Sequence, residues 1–268
     1  MSKYTEAALL AMAPQEYRSL VRGGEWTGRS TNACYGYCAA EIVILPKEYA
    51  YDFLVFCHRN PLTCPVLDIT EVGSPHPPRL APDADLRTDL PRYMVIKDGQ
   101  VTDEPTDIKK YWRDDLVTFV LGEATSFNWA LMDANLHFRK MGSFLTNIPC
   151  VPYGPFKGNL AVYCKVFKNS HEAVRAIQVT SRHRFQHGAP MHVGDPSAIG
   201  IKDLSKPDKI PPVGQAPKPP DEGEVALFWP CFATVRAILI NANLPLAIVD
   251  YPASYFVTDK RSEELAVL

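Results

Sequence analysis

The chain has 268 residues, of which 46% are hydrophobic and 22% charged, and its formal net charge at pH 7 is -2. This composition predicts a folded protein with a substantial core and excludes the disordered and strongly basic classes. The basic residues form no run and no aromatic-interleaved stripe, so we expect no nucleic-acid partner. No apolar run approaches the roughly 20 residues that span a bilayer, so we expect no membrane partner.

The seven cysteines are an odd number and are spread along the chain. Residues 1–24 contain no continuous apolar segment of the signal-peptide type, and the cysteine spacings match no zinc pattern. We therefore expect reduced thiols, a cytoplasmic location, no metal and no cofactor. No heptad pattern occurs, and the sequence leaves a homo-oligomer open.

The first hundred residues predict short elements joined by turns. Apolar residues over 5–22 have helical spacing that breaks near Pro14, which predicts one or two short helices. A glycine-rich loop over 22–40 lacks the spacings of nucleotide sites. Asp98-Gly99 between two β-prone runs predicts a hairpin that joins strands at 93–97 and 101. The remaining predictions here are strands over 40–45 and 66–72, a helix over 49–58 and a long loop over 73–91.

The rest of the chain alternates strand and helix patterns. Helices are predicted over 108–115, 129–141 and 170–177, and strands over 116–121, 159–167, 224–229 and 247–249. Ser170 is the predicted N-cap of the third of these helices. Six prolines over 205–220 exclude a helix or an inner strand there, and both a loop folded over the site and a disordered excursion fit them.

Residues 187–204 read HGAPMHVGDPSAIGIKDL and have neither helical nor strand periodicity. Glycines and prolines there predict a rigid, convoluted loop that holds His187, His192 and Asp195. Two histidines and an aspartate suit acid–base chemistry. Two alternatives stay open: a structural turn whose histidines cap carbonyl groups, and a metal site with ligands at positions 0, +5 and +8.

Several predicted strands deliver polar residues at their C-terminal ends. The segments after 116–121, 224–229 and 247–249 all do so, as in α/β sheets that bind ligands at this position. The alternative is a set of simple connections without a ligand.

Ordered blocks over most of the chain resemble the D-glutamate cyclase family, whose members are also called hydro-lyases. The blocks include RNPLTCP at 59–65, RTDLPRY at 87–93, WRDDLVTFVLG at 112–122, TNIPC at 146–150, HGAPMHVGDPSAIGIKDL at 187–204, GEVALFWPC at 223–231 and FVTD at 256–259. The resemblance implies an α/β fold, with a larger mixed-sheet domain over 1–135 and 190–268 and a smaller α+β subdomain over 136–189. For characterised members it implies cyclisation of D-glutamate to 5-oxo-D-proline with loss of water.

Three segments depart from the family pattern as this resemblance presents it. Residues 122–128 read GEATSFN in place of GCSFSFE, residues 231–236 read CFATVR in place of CGVTPQ, and residues 250–255 read DYPASY in place of HxPGHM. All three follow predicted strands and change charge or size. We therefore expect one pocket whose chemistry has been re-tuned, so D-glutamate is not assumed to be the substrate.

The candidate residues follow from the chemistry of losing water, which needs proton donors, proton acceptors and groups that bind carboxylates. The catalytic candidates are His187, His192, Glu123, Asp250 and Asp195. The substrate-binding candidates are Arg87, Arg22, Ser126, Asn128, Trp229, Cys231, Arg236 and Tyr255. For the arginines the alternative is a structural salt bridge.

The expected function is that of a lyase-type enzyme acting on a small organic molecule. It would catalyse a cyclisation, dehydration or isomerisation by acid–base chemistry, as a re-tuned relative of D-glutamate cyclase in specialised metabolism. The alternatives are D-glutamate cyclase activity itself and a binding protein that has kept the fold without the chemistry.

Overall fold

The computed structural model describes residues 4–31, 33–208 and 218–267. Within these ranges the chain forms two sheets and six α-helices, which confirms the predicted α/β class. The helices are α1 (Glu6–Ala11), α2 (Pro14–Arg22), α3 (Lys47–Arg59), α4 (Asn128–Asp133), α5 (Ser170–Ser181) and α6 (Ala233–Ala242). No helix in the described ranges has the length and apolar character needed to cross a membrane.

The described strand pairings are all antiparallel. The strands are β1 (Tyr37–Pro46), β2 (Val66–Ile69), β3 (Tyr93–Lys97), β4 (Gln100–Asp103), β5 (Leu116–Gly122), β6 (Phe138–Pro149), β7 (Asn159–Phe167), β8 (His192–Val193), β9 (Val225–Pro230), β10 (Ala247–Asp250) and β11 (Phe256–Arg261). The larger sheet has the order β2-β5-β1-β10-β3-β4, with β11 also paired to β1, and the smaller sheet has the order β6-β7-β9-β8.

β1 is the central strand of the larger sheet and is buried on both faces. Ile42 and Ile44 face one hydrophobic cluster, whereas Val43 and Leu45 face another. β5 and β10 lie on either side of β1 and run antiparallel to it. Both therefore end at the edge of the sheet where β1 begins, and this geometry brings the segments that follow them together.

The two sheets share one hydrophobic cluster. Val43 and Phe119 of the larger sheet belong to the same cluster as Phe144, Val162 and Phe228 of the smaller sheet. Strands β8 and β9 pair into the smaller sheet although they come from the part of the chain predicted for the larger domain. The division into 1–135 plus 190–268 and 136–189 stays a prediction.

Two helix predictions are wrong in extent. The helix predicted over 129–141 ends at Asp133, because Asn135 adopts a left-handed conformation (φ 55°) and the Leu136 N–H donates to the Leu131 carbonyl. Residues from Phe138 onward instead pair with β7, so tertiary pairing overrides helical spacing. The helix predicted over 108–115 is a single 3-10 turn at 109–111.

Two smaller differences concern the ends of elements. The N-cap of α5 is Asn169 and not Ser170, because the Asn169 side chain accepts the hydrogen bond of the Glu172 N–H. β2 ends at Ile69, earlier than predicted. Of the proline-rich stretch 205–220, residues 209–217 lie outside the described residues, and the remainder forms neither helix nor strand.

Candidate active site

A cavity of about 60 Å³ is lined by residues of both sheets, with room for roughly four to six water molecules. The larger sheet contributes Glu41 from β1 and Glu123 from the end of β5. The smaller sheet contributes Lys140 from β6 and Lys165 from β7. The cavity therefore places carboxyl and amino groups around a space that suits a compact organic molecule.

Arg236 forms a buried ion pair beside this cavity. It lies in α6, and its Nη2 is 2.7 Å from Oδ2 of Asp250 and 3.5 Å from Oε1 of Glu41. Asp250 also accepts a hydrogen bond from the Ile42 N–H at 3.0 Å. Burial raises the pKa of Asp250 to about 6 although Arg236 acts in the opposite direction.

Glu41 and Glu123 both have raised pKa values. Burial is the main cause for each, and the charge of Asp250 adds to it. Thr125 opposes the shift at Glu123, because its N–H and its hydroxyl both donate to Oε2. Oε1 of Glu123 has no hydrogen bond within the described ranges and is available to a ligand. Each carboxyl group is thus biased toward its protonated, donor form.

Three buried polar atoms on the cavity wall have no hydrogen-bond partner among the described residues. They are Oε2 of Glu41, Oδ1 of Asn128 and Oγ1 of Thr31. Buried polar atoms in folded proteins are nearly always bonded, so a cluster of exceptions needs an explanation. The cavity wall therefore holds three oxygen atoms whose hydrogen-bonding capacity is unused among the described residues.

Lys165 is the most unusual side chain in the cavity, because it is only 2% exposed. Its Nζ makes no hydrogen bond or ion pair with any described residue, and it lies 3.9 Å from the ring centroid of Phe127 and 5.0 Å from that of Trp229. Burial lowers its pKa well below the usual lysine value, against the opposing charge of Glu123. The cavity therefore holds an amine and two carboxyl groups whose shifted pKa values all favour the neutral form.

His187 lines the cavity and is 1% exposed. Its Nδ1 lies 2.8 Å from the Leu62 carbonyl oxygen, and a carbonyl only accepts, so Nδ1 carries the proton and Nε2 presents a lone pair. Burial lowers the pKa of His187 to about 4, and the charge of Lys165 contributes in the same direction. His187 is thus a neutral hydrogen-bond acceptor near pH 7.

Cys231 and Tyr255 complete the part of the wall that lies near α6 and the segment after β10. The Cys231 sulfur accepts a hydrogen bond from the Ala233 N–H at 3.5 Å and lies 3.4 Å from the Ser143 hydroxyl. Burial raises the pKa values of both the Cys231 thiol and the Tyr255 hydroxyl. Both groups are therefore protonated near neutral pH.

The structure brings six of the predicted residues to the cavity wall and places others behind it. Those on the wall are Glu123, Asn128, His187, Cys231, Arg236 and Tyr255. Asp250 lies behind Arg236, as described above. Trp229 is fully buried and donates to the Gly188 carbonyl, while the Ser126 hydroxyl bonds the backbone of Ala39. Trp229 and Ser126 therefore support the wall from behind.

His192 and Asp195 lie outside the cavity. Nε2 of His192 is 2.6 Å from the Asp195 carbonyl oxygen, and its ring packs on Phe228. The Asp195 carboxylate is exposed and caps a 3-10 turn by accepting from the N–H and hydroxyl of Ser197. These two residues have the structural turn role that the sequence left open. His187, His192 and Asp195 form no metal-binding group, and the part of the chain that the structure describes holds no such cluster.

Arg22 and Arg87 bind aspartates of the long loop over 73–91 and not the cavity. Arg22 contacts Asp89 through two nitrogens at 2.7 and 2.5 Å, and Arg87 contacts Asp85 in the same two-point manner at 2.8 Å. Their guanidinium groups are thus already occupied by carboxylates. Both have the salt-bridge role that was the alternative in the sequence.

Sequence reasoning missed Lys165 and Glu41, although the sequence contained a signal for each. Both are single charged residues within otherwise apolar strands, in NLAVYCKVF at 159–167 and YCAAEIVILP at 37–46. A charge in a strand that is buried on both faces must be paired or functional. Neither residue was predicted, because the candidates were chosen from the polar residues that follow the strand ends.

Comparison with known proteins finds a family profile and several relatives that this chain resembles. The profile of a family described as D-glutamate cyclase matches residues 117–259. Relatives named "putative hydro-lyase" include one from Bradyrhizobium diazoefficiens, 44% identical over 95% of this chain and 93% of its own, and one from Bacillus subtilis, 44% identical over 96% of this chain and 100% of its own. A third, from Rubrobacter xylanophilus, is 45% identical over 94% of this chain and 97% of its own.

Among solved structures, a nitrogen repressor-like protein from Methanococcus jannaschii aligns with 88% of this chain and 91% of its own. The sequence identity is 6% and the TM-score is 0.39. This likeness is too weak to bear on fold or function.

Proposed function

Because the chain belongs to the D-glutamate cyclase family, we propose that it is a lyase-type enzyme acting on a small organic molecule. The reaction is a cyclisation, dehydration or isomerisation by acid–base chemistry in the cavity between the two sheets. The observation that carries this proposal is the buried Lys165 amine in the same cavity as Glu123, with the pKa values of both shifted toward their neutral forms.

Loss of water requires two proton transfers. A base removes a proton from carbon or nitrogen, and an acid protonates the departing oxygen so that it leaves as water. The Glu123 carboxyl, held near its protonated form by burial, is the acid in this proposal. The neutral Lys165 amine is the base. Burial raises the pKa of Glu123 and lowers that of Lys165, which favours the protonated acid and the neutral base that the reaction needs.

Polar wall residues would orient the substrate. Asn128 and Thr31 each present an oxygen without a partner among the described residues, and His187 presents the Nε2 lone pair. Oxygen acceptors and a lone pair suit hydroxyl, amine or ammonium hydrogens of a substrate. The hydroxyl of Tyr163, on the same face of β7 as Lys165, adds a donor.

We propose a substrate other than D-glutamate, from specialised metabolism. The segments that depart from the family pattern contribute Glu123, Asn128, Arg236 and Tyr255, all on the wall of one cavity. Changes of charge and size that converge on one space alter which molecule fits and which groups carry protons. Substitutions dispersed over the surface would not support this view.

The test is a mass-spectrometric turnover assay of the purified full chain with D-glutamate and, separately, with a small-molecule extract of its source. We expect no reaction of D-glutamate, and an isomer or a product lighter by one water molecule from the extract. Glu123→Gln should reduce the rate by roughly 100-fold or more, the usual contribution of a positioned acid. Glu104→Gln, which alters an exposed carboxylate paired with Arg92, serves as the matched control.

Two outcomes would contradict parts of this proposal. Conversion of D-glutamate to its cyclic, dehydrated product at a rate above that of any extract component would establish the family activity in place of the re-tuned one. Tight retention of an extract molecule without any turnover would instead indicate a binding protein.

A further inference from the structure

We propose that Lys165 is a nucleophile that forms a Schiff base with a small aldehyde or ketone carrying a hydroxyl group β to its carbonyl. The proposal rests on the lyase function above and adds the class of substrate. It assigns Lys165 a covalent step in place of the base role given above, and the Glu123 carboxylate takes the proton from carbon.

The position of Lys165 is the first argument. It is 2% exposed, lines the cavity, and has no carboxylate or carbonyl partner within hydrogen-bond distance among the described residues. Buried lysines in structural roles are paired. An unpaired amine that faces an open space in an apolar setting has the surroundings of Schiff-base lysines.

The pairing of β6 with β7 is the second argument. Lys140 is directly opposite Lys165 across these strands, and both line the cavity. Side chains at such positions have Cβ atoms about 4.5–5.5 Å apart. Burial lowers the pKa of Lys165 and the positive charge of Lys140 lowers it further, so both disfavour its ammonium form. Desolvation and a neighbouring cation are the two known ways of making a lysine nucleophilic near neutral pH.

The aromatic surroundings fit the product of the step. The rings of Phe127, Trp229 and Phe138 have centroids 3.9, 5.0 and 5.2 Å from Nζ. Aromatic faces stabilise a cation without donating or accepting hydrogen bonds. An iminium ion keeps its positive charge at this same nitrogen, so the rings stabilise the intermediate.

The covalent step balances with groups already present. The Nζ lone pair attacks the carbonyl carbon, and an N–H proton moves to the carbonyl oxygen to give a carbinolamine. Glu123, protonated, gives its proton to that hydroxyl, which leaves as water while the C=N bond forms. The product is an iminium ion and an ionised Glu123 carboxylate.

Elimination then uses the same carboxylate. The iminium acidifies the neighbouring C–H, and Glu123 takes that proton to leave an enamine. Glu123 returns the proton to the β-hydroxyl, which leaves as a second water, and the electrons of the enamine restore a now conjugated iminium. Addition of one water to the iminium carbon releases the unsaturated carbonyl product and the free amine of Lys165, and the proton set free in this step returns to the Glu123 carboxylate. The net change is the loss of one water molecule.

The test is reductive trapping, which does not depend on knowing the substrate. The purified full chain is incubated with acetaldehyde or pyruvate and sodium borohydride, then digested and mapped by mass spectrometry. We expect Lys165 to gain the mass of the probe less one oxygen atom. A lowered pKa raises the fraction of a lysine that is neutral and nucleophilic, so Lys165 should be modified faster than the exposed lysines of the same digest.

Two variants separate a nucleophile from a simple cation. Lys165→Arg keeps the charge and removes the nucleophile, so the mapped adduct and extract turnover should both be lost. Lys206→Arg replaces a lysine that is 83% exposed and should behave as wild type. Circular dichroism checks that each variant folds, and the wild-type map stands even where Lys165→Arg does not fold.

Two results would overturn the proposal. One is modification of Lys165 no faster than that of exposed lysines in the same digest, which provide the internal positive control. The other is full extract turnover by Lys165→Arg, which would show that the reaction needs neither a nucleophile nor a neutral base at this position, while the lyase reaction itself would stand. Trapping at Lys165 without extract turnover supports its nucleophilicity while counting against the lyase reaction.

Discussion

At the scale of residues, the protonation of the buried carboxyl groups depends on how one guanidinium is shared between two of them. Arg236 is 2.7 Å from Asp250 but 3.5 Å from Glu41, and all three are largely buried. One cation stabilises one buried anion well and a second poorly. Glu41, whose Oε2 is unsatisfied and whose pKa is raised well above the usual value, is therefore the protonated member.

The first prediction concerns Arg236→Met. Loss of the guanidinium raises the pKa values of Asp250 and Glu41 further, so the folded state must hold their protons or bury bare charges. A carboxyl whose folded pKa is raised contributes stability at low pH that is lost as pH increases through that pKa. The variant should thus be less stable by about 3–5 kcal/mol at pH 8 and by clearly less at pH 5, in urea denaturation.

Arg113→Met is the matched control for this prediction. Arg113 pairs with Asp115 at the surface, where the two side chains are 48% and 42% exposed. An exposed pair is worth about 1 kcal/mol or less, so this variant should change little at either pH. Equal destabilisation of Arg236→Met at pH 5 and pH 8 would contradict the shared-cation account.

The second prediction concerns the protonation of His187. Its pKa is lowered to about 4, so its contribution to stability is present above about pH 6.5 and is lost as pH falls toward 4. We expect the imidazole NMR signals of His187 to remain those of the neutral Nδ1–H form from pH 8 to about pH 5. Assignment uses the signals missing from His187→Gln. An imidazolium signal at pH 6.5 would show that burial does not control this residue.

At the scale of elements, the position of His187 depends on the end of β5. A Cβ atom at Gly122 would lie 1.6 Å from the Phe185 carbonyl oxygen, so only glycine lets this strand approach the 3-10 turn before His187. The Gly122 N–H also bonds the Pro65 carbonyl at 2.9 Å. A backbone contact thus connects the end of β5 to the wall residue His187.

The third prediction follows from this contact. Gly122→Ala must displace the turn over 184–186, which should cost roughly 1–3 kcal/mol or more of stability and move His187. The measurements are urea denaturation and the extract turnover assay. Gly23→Ala is the control, because Gly23 has ordinary helical geometry and room for a Cβ, so its change should stay within about 0.5 kcal/mol. Similar effects of the two substitutions would contradict the proposed close contact.

At the scale of the whole molecule, the two sheets share a hydrophobic core, and the cavity lies at their junction. Phe228 of β9 and Phe119 of β5 belong to the same buried cluster. Because neither sheet buries this surface alone, we expect them to unfold together. The cavity is then a property of the assembled pair of sheets.

The fourth prediction tests that coupling. Phe228→Ala should destabilise the chain by about 3–5 kcal/mol, in a single transition with the same midpoint by tryptophan fluorescence and far-ultraviolet circular dichroism. The four tryptophans lie in different parts of the chain, so they report on more than one region. Two separated transitions, with only one shifted by the substitution, would show that the sheets unfold independently.

The sequence by itself determined the family and those elements whose pattern is local. The Asp98-Gly99 hairpin, with φ values of 47° and 71°, and the strand over 159–167 depend on neighbours only a few residues away. The segments after β5, β9 and β10 were predicted to line one pocket, because each brings polar residues directly after an apolar strand. Residues of all three segments line the cavity. The helix predicted over 129–141 was wrong beyond Asp133, because residues from Phe138 onward pair with β7.

Only the tertiary structure decided which charges meet. Arg22, Arg87 and Arg236 are equivalent in sequence as binders of carboxylates, yet of these three only Arg236 lines the cavity. Lys165 lies opposite Lys140 because of the register of β6 and β7. It shares a cavity with Glu123 because the two sheets pack together. Electrostatic coupling acts over a few ångströms of space and is strengthened by burial, and both distance and burial arise only when distant parts of the chain fold together.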